Sequence, residues 1–508
     1  MLHISLKRAV SFALAAMMAG GVFMLAGCSG GASNNGTTSA SVPASGAATQ
    51  VQTQSTTLPE FTPLSEDYQG YTFNILGIEA NSSTWTIATY SEVNVEGQNG
   101  DPINDAIYKR NSEVQDLYNI KLGFVPLQFG TNDHANVAKR SIMAGSNDFD
   151  IALMDGMSIP AIMLNATGNM EDLNTVPNLD LTKSWWDQNS VSELSIAHSL
   201  YMVTGDINLH TLASSITMFA DKALIQQYNL ENPYDLVRAG TWTWDKVGEM
   251  SKAVTKDLDG DGKMTMNDQW GIFAEYLAMQ YNVRQSGERV TQKDSSDIPY
   301  LTMNTDRAVA AAQKSLDVTF NQSIALLASE IPGAAVFFDY ALPKFQSNQL
   351  LFFYNQLLVG LNLRSMDADF EVLPPPKLDD SQDRYYSCLN DWWATYVWIP
   401  TTNTDLARTG AVTQAMGYYS QQEITPAFMD VTVTNKVLRD QDSKDMLDII
   451  MQSRTYDLGV MYNWANLLDI YNNMAYKRIN NLASQYAAQE SKITTAMQKS
   501  INSILNKS

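Results

Sequence analysis

The chain has 508 residues, and its 54 acidic side chains outnumber its 33 basic ones, which gives a formal net charge of −21. Nucleic acids and anionic lipids are bound by clustered Lys and Arg, so this charge argues against both and leaves neutral or cationic ligands compatible. Hydrophobic residues make up 45% of the chain, which is ordinary for a folded protein long enough for two or three cores.

The N-terminus has the pattern of an export signal. Two basic residues precede an apolar run at residues 9–24, and small residues then lead to Cys28. The sequence around Cys28 resembles the bacterial lipobox, which implies removal of residues 1–27 and a diacylated, extracytoplasmic protein that is lipid-anchored to the cell membrane. The alternative is a transmembrane anchor, because the run nearly reaches the roughly 20 residues that a bilayer requires, although two glycines interrupt it.

Residues 28–66 are predicted to be the lipidated cysteine and a disordered tether. Residues 29–59 carry no charge and are dominated by Ser, Thr, Gly, Ala, Asn and Gln, which offer too little apolar surface to fold. A coil of this length and composition reaches roughly 30 Å. The alternative, a structured N-terminal strand, is disfavoured by the same composition.

Short β-type runs alternate with amphipathic helices in the rest of the chain, which predicts an α/β protein rich in parallel strands. The predicted strands are 71–76, 120–129, 149–154, 200–207, 215–220, 350–354, 370–373 and 394–399. The predicted helices are 104–118, 135–144, 243–256, 306–320, 407–420, 444–454 and a final helical segment at 467–505.

Several local patterns follow one another in order between residues 70 and 460. They include residues 143–153, 168–173, the triplet Trp185-Trp186-Asp187, residues 201–206, 232–245, 373–377, 399–400 and 439–450. Together these patterns resemble family 1 extracellular solute-binding proteins, the lipoprotein receptors of sugar-type ABC importers.

This resemblance implies a two-lobed type II periplasmic-binding-protein fold with hinge crossings and a ligand cleft between the lobes. Lobe one would hold residues 67–208 and 376–428, and lobe two residues 209–375 and 429–508. The crossings would fall near 205–210, 373–376 and 425–433. The resemblance also implies a monomer that is not an enzyme, closes around a neutral solute such as an oligosaccharide, and delivers it to ABC permease subunits in the membrane.

The best candidate ligand contacts lie at residues 390–393. Sugar receptors stack a pyranose on an aromatic ring and hold its hydroxyls with carboxylates and amides, as Asp391, Trp392 and Trp393 could do. Neighbouring side chains on a strand point to opposite faces, so we expect only one of the two tryptophans to reach the ligand.

Three further candidates come from position. Trp85 and Asp155 follow the first and third strands, at the end of a sheet where α/β proteins bind ligands. Trp186 is the third, with core packing as its alternative. Trp242 and Trp244 are interpreted as core residues at a helix opening, with Thr243 as the N-cap.

Residues 257–268 match the spacing of a calcium-binding loop of the EF-hand type, with Gly262 at the sharp turn. The predicted ligands are Asp257, Asp259, Asp261, the backbone carbonyl of Lys263, Thr265 and Asp268. Position 12 is Asp268 where the EF-hand pattern has Glu, and the shorter side chain puts bidentate binding in doubt. We expect a structural calcium ion, and the alternative is a solvated acidic turn.

The remaining residues give no catalytic signature. If Cys28 carries lipid, Cys388 has no disulfide partner. His134, His198 and His210 have no motif spacing and are interpreted as structural or surface residues. Two other functions stay open: an extracellular glycoside hydrolase, which needs two carboxylates about 5 Å or 6.5–9.5 Å apart, and a ligand-sensing receptor without transport.

Overall fold

The computed structural model describes residues 61–81, 89–129, 131, 133–161, 168–331, 340–363, 366, 369–433 and 441–505. The predicted signal segment, Cys28 and Trp85 lie outside these residues. Within the part described, no helix combines the length and the apolar character needed to cross a bilayer.

The strands are β1 (Tyr71–Ile78), β2 (Ile120–Leu127), β3 (Ile151–Asp155), β4 (Ile216–Asp221), β5 (Trp270–Ala274), β6 (Thr291–Lys293), β7 (Pro299–Leu301), β8 (Ala325–Leu327), β9 (Leu350–Gln356), β10 (Phe370–Leu373), β11 (Ser387–Cys388), β12 (Thr395–Trp398) and β13 (Arg454–Thr455). The helices are α1 (Pro102–Tyr118), α2 (His134–Met143), α3 (Gln188–Glu193), α4 (Leu209–Ala213), α5 (Lys222–Gln227), α6 (Pro233–Ala239), α7 (Trp244–Val254), α8 (Ala278–Gln285), α9 (Asp306–Asp317), α10 (Leu342–Gln346), α11 (Val359–Leu363), α12 (Leu406–Val433), α13 (Gln441–Gln452), α14 (Leu458–Tyr462), α15 (Asp469–Lys477) and α16 (Leu482–Leu505).

The first sheet has the strand order β12-β3-β1-β2. Strands β1, β2 and β3 are parallel, with Tyr71 opposite Ile120, and β12 runs antiparallel to β3. Helix α1 connects β1 to β2: Asp101 caps its first amide groups, and Asn119 ends it in the left-handed conformation directly before β2. Parallel strands are covered on both faces, which explains why β3 is an uninterrupted buried run.

The second sheet has the order β10-β4-β9-β5-β8. Strands β5, β8 and β9 are parallel, whereas β4 and β10 run antiparallel to their neighbours. Thr243 caps α7, as predicted, and the buried Trp244 ring meets Tyr354 of β9 edge-on at 5.3 Å. Trp242 and Trp244 are therefore core residues of this lobe.

Some elements differ from the sequence prediction. The predicted strand 200–207 forms only isolated bridges, such as Val203 to Val397. Strands β5 and β8 were not predicted: β8 has only three residues, and Gly271 interrupts the apolar run of β5. The final helical segment is two helices, since Arg478 adopts a left-handed conformation (φ 52) that ends α15.

The chain passes between the two sheets at three places. The first passage follows Val203, which bridges to β12, and is complete where β4 begins. The second lies later than residues 373–376: Lys377 still exchanges backbone hydrogen bonds with Trp242 and Trp244 of the second lobe. The third lies at α12, which packs along α1 of the first lobe and also contacts α11, which follows β9 in the second.

The end of the predicted tether is packed on the first lobe. The Phe61 ring stacks on Tyr418 at 4.7 Å and meets Trp185 edge-on at 6.0 Å. Residues from Phe61 onward therefore belong to the folded body, although a tether to residue 66 was predicted. Aromatic packing stabilises a position that composition alone assigns to coil.

Trp185 and Trp186 hold the first passage in place. Trp186 bridges to Gly205, and its indole Nε1 donates a hydrogen bond to Gln414 of α12 at 3.1 Å. A Cβ atom at Gly205 would lie 2.1 Å from the carbonyl oxygen of Trp185, so only glycine allows this approach.

We therefore expect Gly205→Ala to lower the free energy of unfolding by about 1–3 kcal/mol, because the backbone must move to relieve the overlap. Gly97→Ala is the matched control, since a Cβ there meets no atom within 4 Å. Denaturant unfolding followed by tryptophan fluorescence measures both. Equal stability of the two variants would contradict the packing described here.

Candidate functional site

The carboxyl ends of the parallel strands of both sheets face a common cleft of about 760 Å³. This volume lies within the range of small-molecule sites. Ile78 and Asp155 contribute from the ends of β1 and β3, and Gln356 contributes from the end of β9. The full lining is Ile78, Phe129, Thr131, His134, Ala135, Asp155, Met157, Ser158, Ala161, Glu275, Tyr276, Leu277, Ala328, Ser329, Gln356, Asn390, Trp392, Trp393 and Tyr476. A smaller cavity of about 360 Å³ beside Phe61 has no such strand ends.

Aromatic rings dominate the wall of the cleft. Trp392 is 51% exposed, which is unusual for so large an apolar side chain. Tyr276 and Tyr476 stack on each other at 5.3 Å with an interplanar angle of 19°, and Phe129 stacks on Trp393 at 5.2 Å. Flat apolar faces of this kind suit the face of a sugar ring or a small cation.

Trp392 and Trp393 both line the cleft, where one was expected to do so. The reason is local: residues 391–393 form a turn before β12, so the two-residue alternation of a strand does not apply. Ligand contact by either ring stays a prediction.

Asp155 lines the cleft as an ion pair with His134. His134 Nδ1 lies 2.6 Å from Asp155 Oδ2, and its Nε2 lies 2.8 Å from the carbonyl oxygen of Gln128. Burial alone would lower the pKa of His134, but the hydrogen bonds to Asp155 and Gln128 raise it above its ordinary value. With acceptors at both nitrogens, the imidazolium form is favoured. His134 is thus part of the cleft wall, which its lack of motif spacing did not reveal.

Glu275 follows β5 directly and is half-buried in the cleft. Burial raises the pKa of Glu275 to about 7, and a hydrogen bond with Asn355 acts in the opposite direction. Asn355 Oδ1 accepts a hydrogen bond from the backbone amide of Gln356 at 2.8 Å. The side-chain NH2 group of Asn355 is therefore left to donate to the Glu275 carboxylate. No Lys or Arg belongs to the cleft lining in the part of the chain described.

Two predicted contacts lie elsewhere. Asp391 is buried beneath the cleft residues: Tyr396 donates to its Oδ1 at 3.0 Å, and Arg284 Nη1 lies 3.5 Å from its Oδ2. Burial raises the pKa of Asp391, and the nearby Arg284 opposes this effect. Trp186 is 1% exposed and packs at the first passage. Neither lines the cleft, so the structure does not support a ligand contact for them.

The Asp-rich loop lies outside the cleft lining. One carboxylate oxygen from each of Asp257, Asp259 and Asp261 lies within 4.8 Å of the others, as a cation site requires. Asp268 is fully buried, and its two oxygens accept the backbone amides of Leu258 and Thr265 at 2.8 and 2.6 Å. The three aspartates therefore fit a calcium ion, whereas Asp268 holds the loop together.

The cleft residues that the sequence analysis did not single out include Glu275, Tyr276, Gln356 and Tyr476. The first two follow the unpredicted strand β5, and the strand-end rule would have found them had β5 been recognised. Gln356 ends a strand that was predicted two residues too short. Tyr476 comes from α15, and no local pattern connects it to the cleft.

No protein-family model and no curated protein matches the sequence. Solved structures do match. A cyclo/maltodextrin-binding protein in complex with maltotetraose has a TM-score of 0.52 at 12% identity, covering 86% of this chain and 97% of that one. UgpB from Mycobacterium tuberculosis in complex with glycerophosphocholine has a TM-score of 0.52 at 13% identity, covering 80% and 97%. The ABC substrate-binding protein Lmo0181 from Listeria monocytogenes in complex with cycloalternan has a TM-score of 0.50 at 13% identity, covering 86% and 98%.

These similarities establish the fold. The chain has the two-lobed α/β fold of periplasmic-binding proteins, as the resemblance in its sequence implied. Identities of 12–13% do not carry a ligand from one protein to another.

The carboxyl of Glu275 makes stability depend on pH. The pKa of Glu275 is raised in the folded state. Its favourable contribution to the free energy of unfolding is therefore complete below the ordinary pKa of 4.5 and is lost as the pH rises through about 7. We expect Glu275→Gln to increase the free energy of unfolding at pH 8 by about 1–2 kcal/mol, less than the full shift because the side chain is only half-buried. At pH 4.5 the two proteins should be equally stable. Denaturant titrations at both pH values test this, and a variant less stable at pH 8 would contradict it.

Proposed function

We propose that this chain is the solute-binding protein of an ABC importer and captures an oligosaccharide in the cleft between its lobes. The observation that carries the proposal is the cleft itself: strand ends of both sheets meet exposed aromatic rings there. Maltotetraose and cycloalternan in the matching structures support a sugar ligand.

The mechanism follows from the two-lobed arrangement. A ligand touches both walls of the cleft only when the lobes are closed, so its differential affinity shifts the equilibrium between open and closed forms. Trp392 and the Tyr276–Tyr476 stack would hold sugar faces, while Asn390 and Gln356 would bind hydroxyl groups.

We propose that the protein binds its ligand without catalysing a reaction on it. Asp155 and Glu275 are the acidic side chains in the described lining, and Asp155 is engaged by His134 and by the Ser158 amide at 2.9 Å. Glycoside hydrolysis uses one carboxyl as acid and a second as base or nucleophile. The engaged state of Asp155 therefore favours a receptor over a hydrolase.

The partners and the anchor belong to the same proposal. The lipobox-like sequence at Cys28 supports a lipid anchor on the outer side of the cell membrane. The importer role requires permease subunits in that membrane, which would recognise the closed form.

Replacing the exposed ring tests the proposed site. We expect Trp392→Ala to weaken oligosaccharide binding at least tenfold, because the stacking surface is lost, with little change in stability. The assay is calorimetric titration with the tightest ligand from a thermal-shift screen of oligosaccharides. Tyr300→Ala is the control, since Tyr300 is 44% exposed and does not line the cleft. A screen without any binder, or release of a shortened sugar, would reject the proposed function.

We also propose that residues 257–268 bind a structural calcium ion through Asp257, Asp259 and Asp261, with the carbonyl of Lys263 and the hydroxyl of Thr265 as further ligands. The spacing of these residues and the approach of the three carboxylates support this assignment.

For chelator-treated protein we expect a calcium-binding heat that disappears in Asp257→Asn/Asp259→Asn. The control Asp235→Asn removes a carboxylate that is 77% exposed on another element and should keep the heat. Absence of heat in the wild-type protein would show that this segment is a solvated acidic turn.

A further inference from the structure

A side pocket opens from the floor of the cleft at the ends of β5 and β9. It shares Glu275 and Gln356 with the cleft lining and includes Asn355. Its volume of about 10 Å³ is close to that needed by one water molecule, so it accepts a single small group.

Two residues that line both the cleft and this pocket, Gln356 and Glu275, offer acceptors. The pocket is also lined by Tyr281, Tyr354 and Asn355, and the Tyr354 hydroxyl already donates to Gln285 at 2.5 Å. Gln356 is 2% exposed, and its Oε1 is buried without a hydrogen-bond partner. A buried acceptor in this state costs free energy until a donor reaches it. The second acceptor is the Glu275 carboxylate, which Asn355 supplies with one hydrogen bond. A group that donates hydrogen bonds can therefore meet two acceptors at this pocket.

Charge distinguishes between the possible donors. Of the described lining residues only His134 is basic, and it is already bound to Asp155. Glu275 consequently has no counter-ion in the cleft wall. A neutral hydroxyl would supply one donor and no charge, whereas an ammonium group supplies three donors and the missing positive charge.

We propose that the ligand is an amino sugar, or an oligosaccharide containing one, whose ammonium group enters this side pocket with Glu275 as its counter-ion and Gln356 as a second acceptor. This inference rests on the proposed sugar-binding function and specifies its ligand class. In addition to aromatic stacking, this contact would distinguish a free amine from the corresponding hydroxyl, which carries no charge. It would also exclude the corresponding acetamide, because an acetyl group does not fit a space of about 10 Å³.

The experiment uses three linear tetramers in calorimetric titrations of the full-length protein at pH 7: glucosamine, N-acetylglucosamine and glucose. For the wild-type protein we expect the glucosamine tetramer to bind at least tenfold more tightly than the other two. Glu275→Gln should lose at least tenfold in affinity for the glucosamine tetramer and should bind the neutral tetramers within about twofold of wild type.

Glu249→Gln is the matched control, because it removes the same charge from an exposed position on α7 and should leave all three affinities unchanged. Equal binding of all three tetramers, or an unchanged glucosamine affinity in Glu275→Gln, would overturn the inference while leaving a sugar receptor intact. Absence of binding to all three also rejects the inference, and the wider oligosaccharide screen then decides on the proposed function separately.

Discussion

The structure depends on one constraint: parallel strands in two separate sheets present their carboxyl ends to the same cleft. The backbone at those ends stops pairing, so the residues that follow are free to take turn conformations and direct side chains into the space between the lobes. Asp155 from the first sheet and Gln356 from the second reach the cleft for this reason. The turns carry the side chains that line the cleft, and the buried strands fix the positions of those turns.

Two buried arginines of the described residues are each paired with an aspartate. Arg284 faces Asp391, and Arg454 Nη2 lies 2.7 Å from Asp187. Each pair offsets the cost of removing its charges from water. Glu275 differs from these pairs, since it is half-buried without Lys or Arg in the described cleft wall; Asp221 is also buried without a basic partner among the described residues, but backbone amides bind it and it does not line the cleft. Groups that lack compensation within the protein often mark the place where a ligand supplies it.

Local sequence patterns predicted several of the strands that position the cleft residues. Strands β1, β3 and β9 are long enough for their apolar pattern to be read, and the strand-end rule then placed Asp155 in the cleft wall. The same rule could not reach Tyr276, because β5, although as long as β3, has an apolar run interrupted by Gly271 and was not recognised. Nor could it separate Asp391, which is buried under Arg284, from its exposed neighbour Trp392: a turn has no fixed alternation. Tyr476 reaches the cleft only through tertiary packing.

Helix α12 contacts both lobes. It packs along α1, where Arg110 donates to Ser420 at 2.8 Å and Lys109 donates to Glu423 at 2.7 Å, and it also contacts α11, which follows β9 in the second lobe. One continuous helix therefore connects the two lobes, in addition to the two other passages of the chain. Pro426 lies within it and lacks the amide that would complete the backbone ladder, which makes this turn the most easily bent. If the lobes open and close as proposed, α12 must bend with them, and the turn at Pro426 is the place where bending costs least.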